Sequence, residues 1–133
     1  MFTFENLNIR MKVLIFDDDK DILELCEIVL DGYGYSVSTS ETCDNILELV
    51  EVEKPDVIFM DNWIPKSGGI EATRLLKNSP SFKNIPVIYF SANNDIRNLA
   101  EKAGANAYLP KPFNIKDLEK IILQGIENAK NQI

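Results

Sequence analysis

Residues 55–65 read PDVIFMDNWIP, and this stretch decides the fold. A proline opens it, five residues rich in apolar side chains follow, and then the carboxylate of Asp61 arrives with an indole two places on and a second proline behind it. A short continuous apolar run bounded by such breakers is a strand buried on both faces, as in a parallel sheet. A carboxylate at the end of that strand is costly unless something pairs with it. The chain must therefore bring a partner to Asp61.

Working outward, the same kind of run recurs at 12–16 (KVLIF), 35–39 (YSVST), 85–90 (IPVIYF) and 106–110 (NAYLP). Between these runs the apolar spacing turns helical. Ile22, Leu25, Cys26, Val29 and Leu30 form one stripe, which stops at Gly32. Ile46, Leu47 and Val50 mark the inner side of the second helix, and Ile70, Leu75 and Leu76 that of a third beginning at Gly69. Ile96, Leu99, Ala100 and Ala103 mark the fourth, which Gly104 closes. The last helix opens with Asn114 as N-cap and Asp117 three places on, and buries Leu118, Ile121, Ile122 and Ile126. Five strands alternating with five helices predict an α/β domain with a doubly wound parallel sheet covered on both faces.

The chain has 133 residues, one domain's worth. Met11 is a second candidate start, which divides the chain into a leader or extension at 1–10 and a domain at 11–130. With 21 acidic against 14 basic residues the net charge is -7, so a nucleic-acid backbone would be repelled and no direct nucleic-acid partner is expected. No apolar stretch reaches the ~20 residues of a membrane-spanning helix, and no secretory signal opens the chain, so it reads as cytoplasmic with no membrane insertion. Two cysteines on separate elements suit reduced thiols, and histidine is absent. Any chemistry must run on carboxylates, lysines and hydroxyls.

In an open α/β sheet, sites form at the carboxyl ends of the strands. Those ends carry Asp17, Asp18 and Asp19 after the first strand, Asp61 after the third, Ser91 after the fourth and Lys111 after the fifth. If the first and third strands are neighbours, their ends lie about 5 Å apart and Asp17, Asp18 and Asp61 share one pocket. Three carboxylates so placed cannot all stay ionised without a cation. Mg²⁺, which takes a few carboxylates together with waters and phosphate oxygens, suits an open cluster of this kind, and Mn²⁺ can substitute. With Lys111 and Ser91 on the same rim, the set suits phosphoryl transfer, where positioning and charge neutralisation do most of the work. Taken singly, each residue has a plainer reading: Asp19 and Asp21 as helix N-terminal charges, Asp61 as a turn residue, Ser91 as an N-cap, Lys111 as a surface lysine and Tyr108 as strand filler.

Four motifs, VLIFDDD, DVIFMDNWIP with the following glycine pair, PVIYFSA and AYLPKPF, resemble those of the receiver domains of two-component response regulators, over about residues 11 to 130. The resemblance implies the flavodoxin-like strand order 2-1-3-4-5 and names the roles. Asp61 would accept a phosphoryl group from a histidine kinase or histidine phosphotransfer protein. Asp17, Asp18, Asp61 and the Trp63 backbone carbonyl would hold Mg²⁺, and Lys111 would pair with phosphoryl oxygens. Ser91 and Tyr108 would be the switch pair, and Lys111–Pro112 a cis peptide. Pro65 would fix the loop that offers the Trp63 carbonyl. Such a domain is not a turnover enzyme; it catalyses its own phosphorylation and dephosphorylation and changes its binding to a downstream protein, in trans if no output domain follows.

The sequence also departs from the family pattern. Ile64 stands where methionine is usual, Gly68 where aspartate often caps the third helix, and the Ser91 to Lys111 interval is about two residues short. Trp63, two places past the acceptor, would overhang the site and slow water attack. Two other classes stay open. Asp17 and Asp19 form the D-x-D of haloacid-dehalogenase-type phosphatases, though Asp21 stands where threonine or valine belongs and the late acidic motif is missing. A receiver-like interaction domain that is never phosphorylated is the other.

Overall fold

The computed structural model describes residues 10–64 and 68–131. Strand and helix alternate as β1 (Lys12–Phe16), α1 (Lys20–Gly32), β2 (Ser36–Ser40), α2 (Ile46–Glu53), β3 (Val57–Asp61), α3 (Gly69–Lys77), β4 (Val87–Ser91), α4 (Ile96–Ala103), β5 (Ala107–Pro110) and α5 (Ile115–Lys130). All strand pairs are parallel and the order is β2-β1-β3-β4-β5, the flavodoxin-like order expected.

Alternation along the central strands splits the core in two. Val13, Ile15, Val57, Phe59, Ile88 and Phe90 face α1 and α5, while Leu14, Phe16, Ile58, Met60, Val87 and Tyr89 face α2, α3 and α4. Every residue of β3 and β4 is buried, which is why both read as unbroken runs with no polar face. β2 lies at the edge and is only half-buried, so its sequence signal is the weaker one.

Three helices turn differently from the expected stripes. Leu25, Leu47 and Leu75 are exposed. In α1 the buried line is Leu23, Cys26 and Leu30, with Ile22 and Val29 on its flanks, so Leu23 takes the inward place expected of Leu25. In α3 it is Gly69, Ala72, Thr73 and Leu76, a helical stripe of mostly small side chains that a search for large apolar residues passes over. The fourth and fifth helices bury the sides expected of them. The Asn114 N–H donates to Asp117 Oδ2 at 3.2 Å, which fixes where α5 begins.

At the amino ends of the strands, away from the acidic cluster, Lys77 Nζ donates to Asn106 Oδ1 at 2.7 Å and to the carbonyls of Ile85 at 2.9 Å and Lys83 at 3.2 Å. Burial pulls the Lys77 ammonium down to about 8. The unfolded chain, with an ordinary lysine near 10.4, therefore binds more protons between these values, and stability attributable to Lys77 rises with pH across that window. The stability of the wild type relative to a Lys77→Met variant should be greater at about pH 10 than at about pH 7.5 in guanidinium unfolding, and an unchanged difference would contradict it.

Candidate phosphoryl-transfer site

The carboxyl ends of β1, β3, β4 and β5 form one rim, and each sequence-predicted side chain can be followed from its strand. Asp17 leaves β1 with its N–H bonded to the Ser40 carbonyl at 3.1 Å, which ties the first strand end to β2. Asp61 is itself the last residue of β3 and pairs in register with Phe90, so its backbone is held by the sheet. Both carboxylates are nearly sealed, at 1% and 4% exposure, whereas Asp18 is exposed. One carboxylate oxygen from each of Asp17, Asp18 and Asp61 lies within 4.8 Å of the others.

Lys111 is the partner Asp61 requires. It follows β5, donates its N–H to the Ser91 carbonyl at 2.9 Å and precedes a cis peptide bond to Pro112. Its Nζ bridges Asp17 Oδ2 at 2.6 Å and Asp61 Oδ1 at 2.9 Å, and it stands 4.6 Å from the centre of the Phe90 ring. The second oxygen of each carboxylate accepts a backbone N–H, Asp17 Oδ1 from Asp19 at 2.9 Å and Asp61 Oδ2 from Trp63 at 3.0 Å. Burial disfavours the Lys111 ammonium, yet its hydrogen bonds to Asp17 and Asp61 win and hold its pKa above the ordinary lysine value. For Asp17 burial wins: it lifts the carboxyl above the usual range despite the bonds from Lys111 and Asp19.

Three carboxylates against one ammonium leave an excess of two negative charges at the rim, and all the available donors are hard oxygens. That donor set fits a divalent hard cation such as Mg²⁺. It does not suit a thiol-based or soft-metal site. Burial pushes the Cys26 thiol up to about 11 and the Cys43 thiol up to about 12, so neither is a thiolate at neutral pH. Asp19 takes no part in the cluster: Oδ1 accepts from the N–H groups of Asp21 at 2.9 Å and Ile22 at 3.4 Å and so caps α1. The D-x-D pattern is thus divided between a site residue and a helix cap.

The response regulator receiver domain family matches residues 13–123. The chain belongs to that family. This receiver domain is 35% identical over 104 residues to the CAI-1 autoinducer sensor kinase/phosphatase CqsS of Vibrio cholerae, covering 76% of this chain and 15% of that protein. It is 32% identical over 110 residues to the protein PilG of Pseudomonas aeruginosa, covering 81% of this chain and 82% of PilG. The chemotaxis response regulator CheY4 of Vibrio cholerae superposes with a TM-score of 0.81 at 25% identity, over 88% of this chain and 99% of that one. The chain spans less than half the length of CqsS and of several other curated relatives. Among the described residues of the receiver, no helix is long and apolar enough to cross a membrane.

Of the remaining predicted residues, Ser91 and Trp63 lie beside this cluster. Ser91 is buried at the end of β4 and accepts the Asn93 N–H at 3.1 Å, which leaves its own proton available to donate. Tyr108 lies on the edge strand β5, beside Tyr89 in register, and is 38% exposed, so its ring stands out from the sheet. Trp63 contributes its N–H to Asp61, but its indole is 73% exposed and stands in solvent. Ile64 is buried in the usual methionine position, and Pro65 lies outside the described residues. Gly68 occupies the N-cap of α3 with φ at 76° and supplies no capping side chain.

Sequence reasoning missed two contributors, Asn62 and Tyr89, and missed what Gly69 is for. The Tyr89 hydroxyl donates to Asn62 Oδ1, and the Gly69 N–H donates to the Asn62 carbonyl at 3.2 Å. A side chain at 69 would drive its Cβ into the Asp61 carbonyl oxygen, 3.0 Å from Tyr89 Oη and 3.1 Å from Asn62 Cα. Only glycine lets α3 start this close to the end of β3. Gly69→Ala usually helps a helix by a few tenths to ~1 kcal/mol, but here it forces backbone apart and should cost a net ~1–3 kcal/mol. Urea unfolding should show the unfolding free energy fall by that amount, with a correspondingly lower midpoint, and a stabilised variant would contradict the packing described.

Proposed function

We propose that Asp61 is the phosphoryl acceptor of this receiver domain. The observation that supports the reading best is the Lys111 ammonium bridging Asp17 and Asp61, with the exposed Asp18 beside them. A carboxylate oxygen of Asp61 attacks the phosphorus of a phosphohistidine on a histidine kinase or histidine phosphotransfer protein. The P–N bond breaks, its electron pair leaves with the imidazole, and Asp61 becomes an acyl phosphate. Mg²⁺ or Mn²⁺, held by Asp17, Asp18, Asp61 and the Trp63 carbonyl, would neutralise charge on the phosphoryl oxygens. Lys111 already lies on Asp61 and pairs with the same oxygens, and the Ser91 proton has a new acceptor to turn toward.

Drawing Ser91 toward the phosphoryl group clears space beneath it, and Tyr108, half-exposed on the edge strand, is placed to turn inward. A downstream protein reads that change, which makes the domain a switch with two arrangements biased by one local charge. The domain catalyses its own phosphorylation and its own slow hydrolysis, and turns over no other substrate.

The reading is tested by intact-mass spectrometry after acetyl phosphate and Mg²⁺: the wild type should gain one phosphoryl mass, and no gain would overturn it. The lifetime of the acyl phosphate tests Trp63. Trp63→Ala should shorten it by less than about tenfold, since an indole mostly in solvent screens the acceptor only partly. A lifetime equal to the wild type's would remove Trp63 from the mechanism.

A further inference from the structure

Behind Asp61 the chain is tied in a way that neither the acid cluster nor the switch pair explains. Tyr89 is completely buried in the middle of β4, where a phenol hydroxyl must find a partner within the protein. The partner is Asn62, the residue between Asp61 and Trp63. Asn62 is also held through its carbonyl by the Gly69 N–H at 3.2 Å. It is thus gripped by its side chain from β4 and by its backbone from α3. The next residue, Trp63, donates its N–H to Asp61 Oδ2, and its carbonyl is the backbone ligand of the proposed metal set. Mg²⁺ accepts little departure from octahedral positions. A carbonyl cannot adjust by changing rotamer, so its placement depends on the backbone torsions at 62 and 63.

We infer that Tyr89 is a positioning residue for the divalent cation: its hydroxyl, acting through Asn62, holds the peptide that presents the Trp63 carbonyl beside Asp61. This rests on the reading of Asp17, Asp18 and Asp61 as the metal and phosphoryl site. A hydroxyl that merely satisfied its own hydrogen bond would cost stability when removed and leave metal affinity where it was. A positioning hydroxyl shifts metal affinity, and does so only while Asn62 is present to pass the constraint on.

The experiment uses the full chain as wild type, Tyr89→Phe, Asn62→Ala and the double variant. Mn²⁺ is titrated with no phosphodonor present and the free ion is counted by electron paramagnetic resonance, while circular dichroism in chelator checks that each variant is folded. Each single change should weaken Mn²⁺ binding about fivefold, the effect of one net hydrogen bond, and the double variant should bind no more weakly than Asn62→Ala. Tyr89→Phe binding Mn²⁺ as tightly as the wild type overturns the inference, as does a double variant that loses the product of the two single effects. Phosphoryl uptake by the wild type separates the two levels: uptake with unchanged Mn²⁺ affinity in Tyr89→Phe sinks the positioning role alone. A wild type that neither binds Mn²⁺ nor gains phosphoryl mass sinks the site reading beneath it as well.

Discussion

Asp61→Asn should fold and gain no phosphoryl mass from acetyl phosphate and Mg²⁺ under conditions that label the wild type fully. The substitution keeps the shape of the side chain, and its one amide oxygen can still accept from either Lys111 or the Trp63 N–H, though no longer from both, so the fold of the rim should survive with one hydrogen bond fewer. What it removes is the nucleophile: an amide oxygen cannot form a stable acyl phosphate at this position. It also changes the charge at the rim. One carboxylate fewer leaves Lys111 facing Asp17 alone among buried acids, so the variant should be at least as heat-stable as the wild type while being inert. Residual labelling of Asp61→Asn would place the acceptor elsewhere, and peptide mapping of the labelled protein would identify it.

Lys111→Met should be the most destabilising single change at the rim. Asp17 and Asp61 would be left buried with no cation between them, a situation that costs on the order of 3–5 kcal/mol when one partner of a buried pair is removed. That is a large share of the ~5–15 kcal/mol that holds a domain together. The loss should depend on pH in a defined sense. Burial already lifts the Asp17 carboxyl above its usual range, and without Lys111 it rises further. The folded state then binds more protons than the unfolded chain from the ordinary carboxylate range upward, so stability falls as pH increases through that window. The gap in melting temperature between variant and wild type should therefore be narrower at about pH 5 than at about pH 7.5, and Mg²⁺ should narrow it at the higher pH because the variant's rim, lacking the ammonium, should bind the cation more tightly than the wild type's. A gap that is independent of pH and of Mg²⁺ would show that Lys111 contributes packing rather than charge.

How much of this was legible in the sequence varied with the kind of interaction. The central strands announce themselves because burial on both faces leaves no polar residue in the run, as in β3, and Asp61 stands out because it breaks that run. Asp17, Asp18 and Lys111 were legible because strand ends meet on one rim whatever the details of packing. The inner faces of α1 and α3 were legible only in part: Cys26, Leu30 and Leu76 are buried as expected, while Leu25 and Leu75 are exposed. In α3 the decisive residues are Gly69, Ala72 and Thr73, small side chains chosen for close approach, which have no hydrophobic signature. Asn62 and Tyr89 were hidden for a different reason: their hydrogen bond spans 27 positions of sequence, and a tyrosine in an apolar run looks like filler until its hydroxyl is seen to need a partner. The place of Asp19 as a charge at the start of α1 was visible, whereas its side-chain cap and the use of its N–H to orient Asp17 were not.

Trp63 is the only tryptophan in the chain. Its peptide nitrogen rests on the Asp61 carboxylate while its ring faces water. The domain therefore carries its own optical gauge, a single fluorophore hydrogen-bonded through its peptide to the carboxylate proposed to take the phosphoryl group, so a shift in its emission on adding metal or phosphodonor would report from that rim.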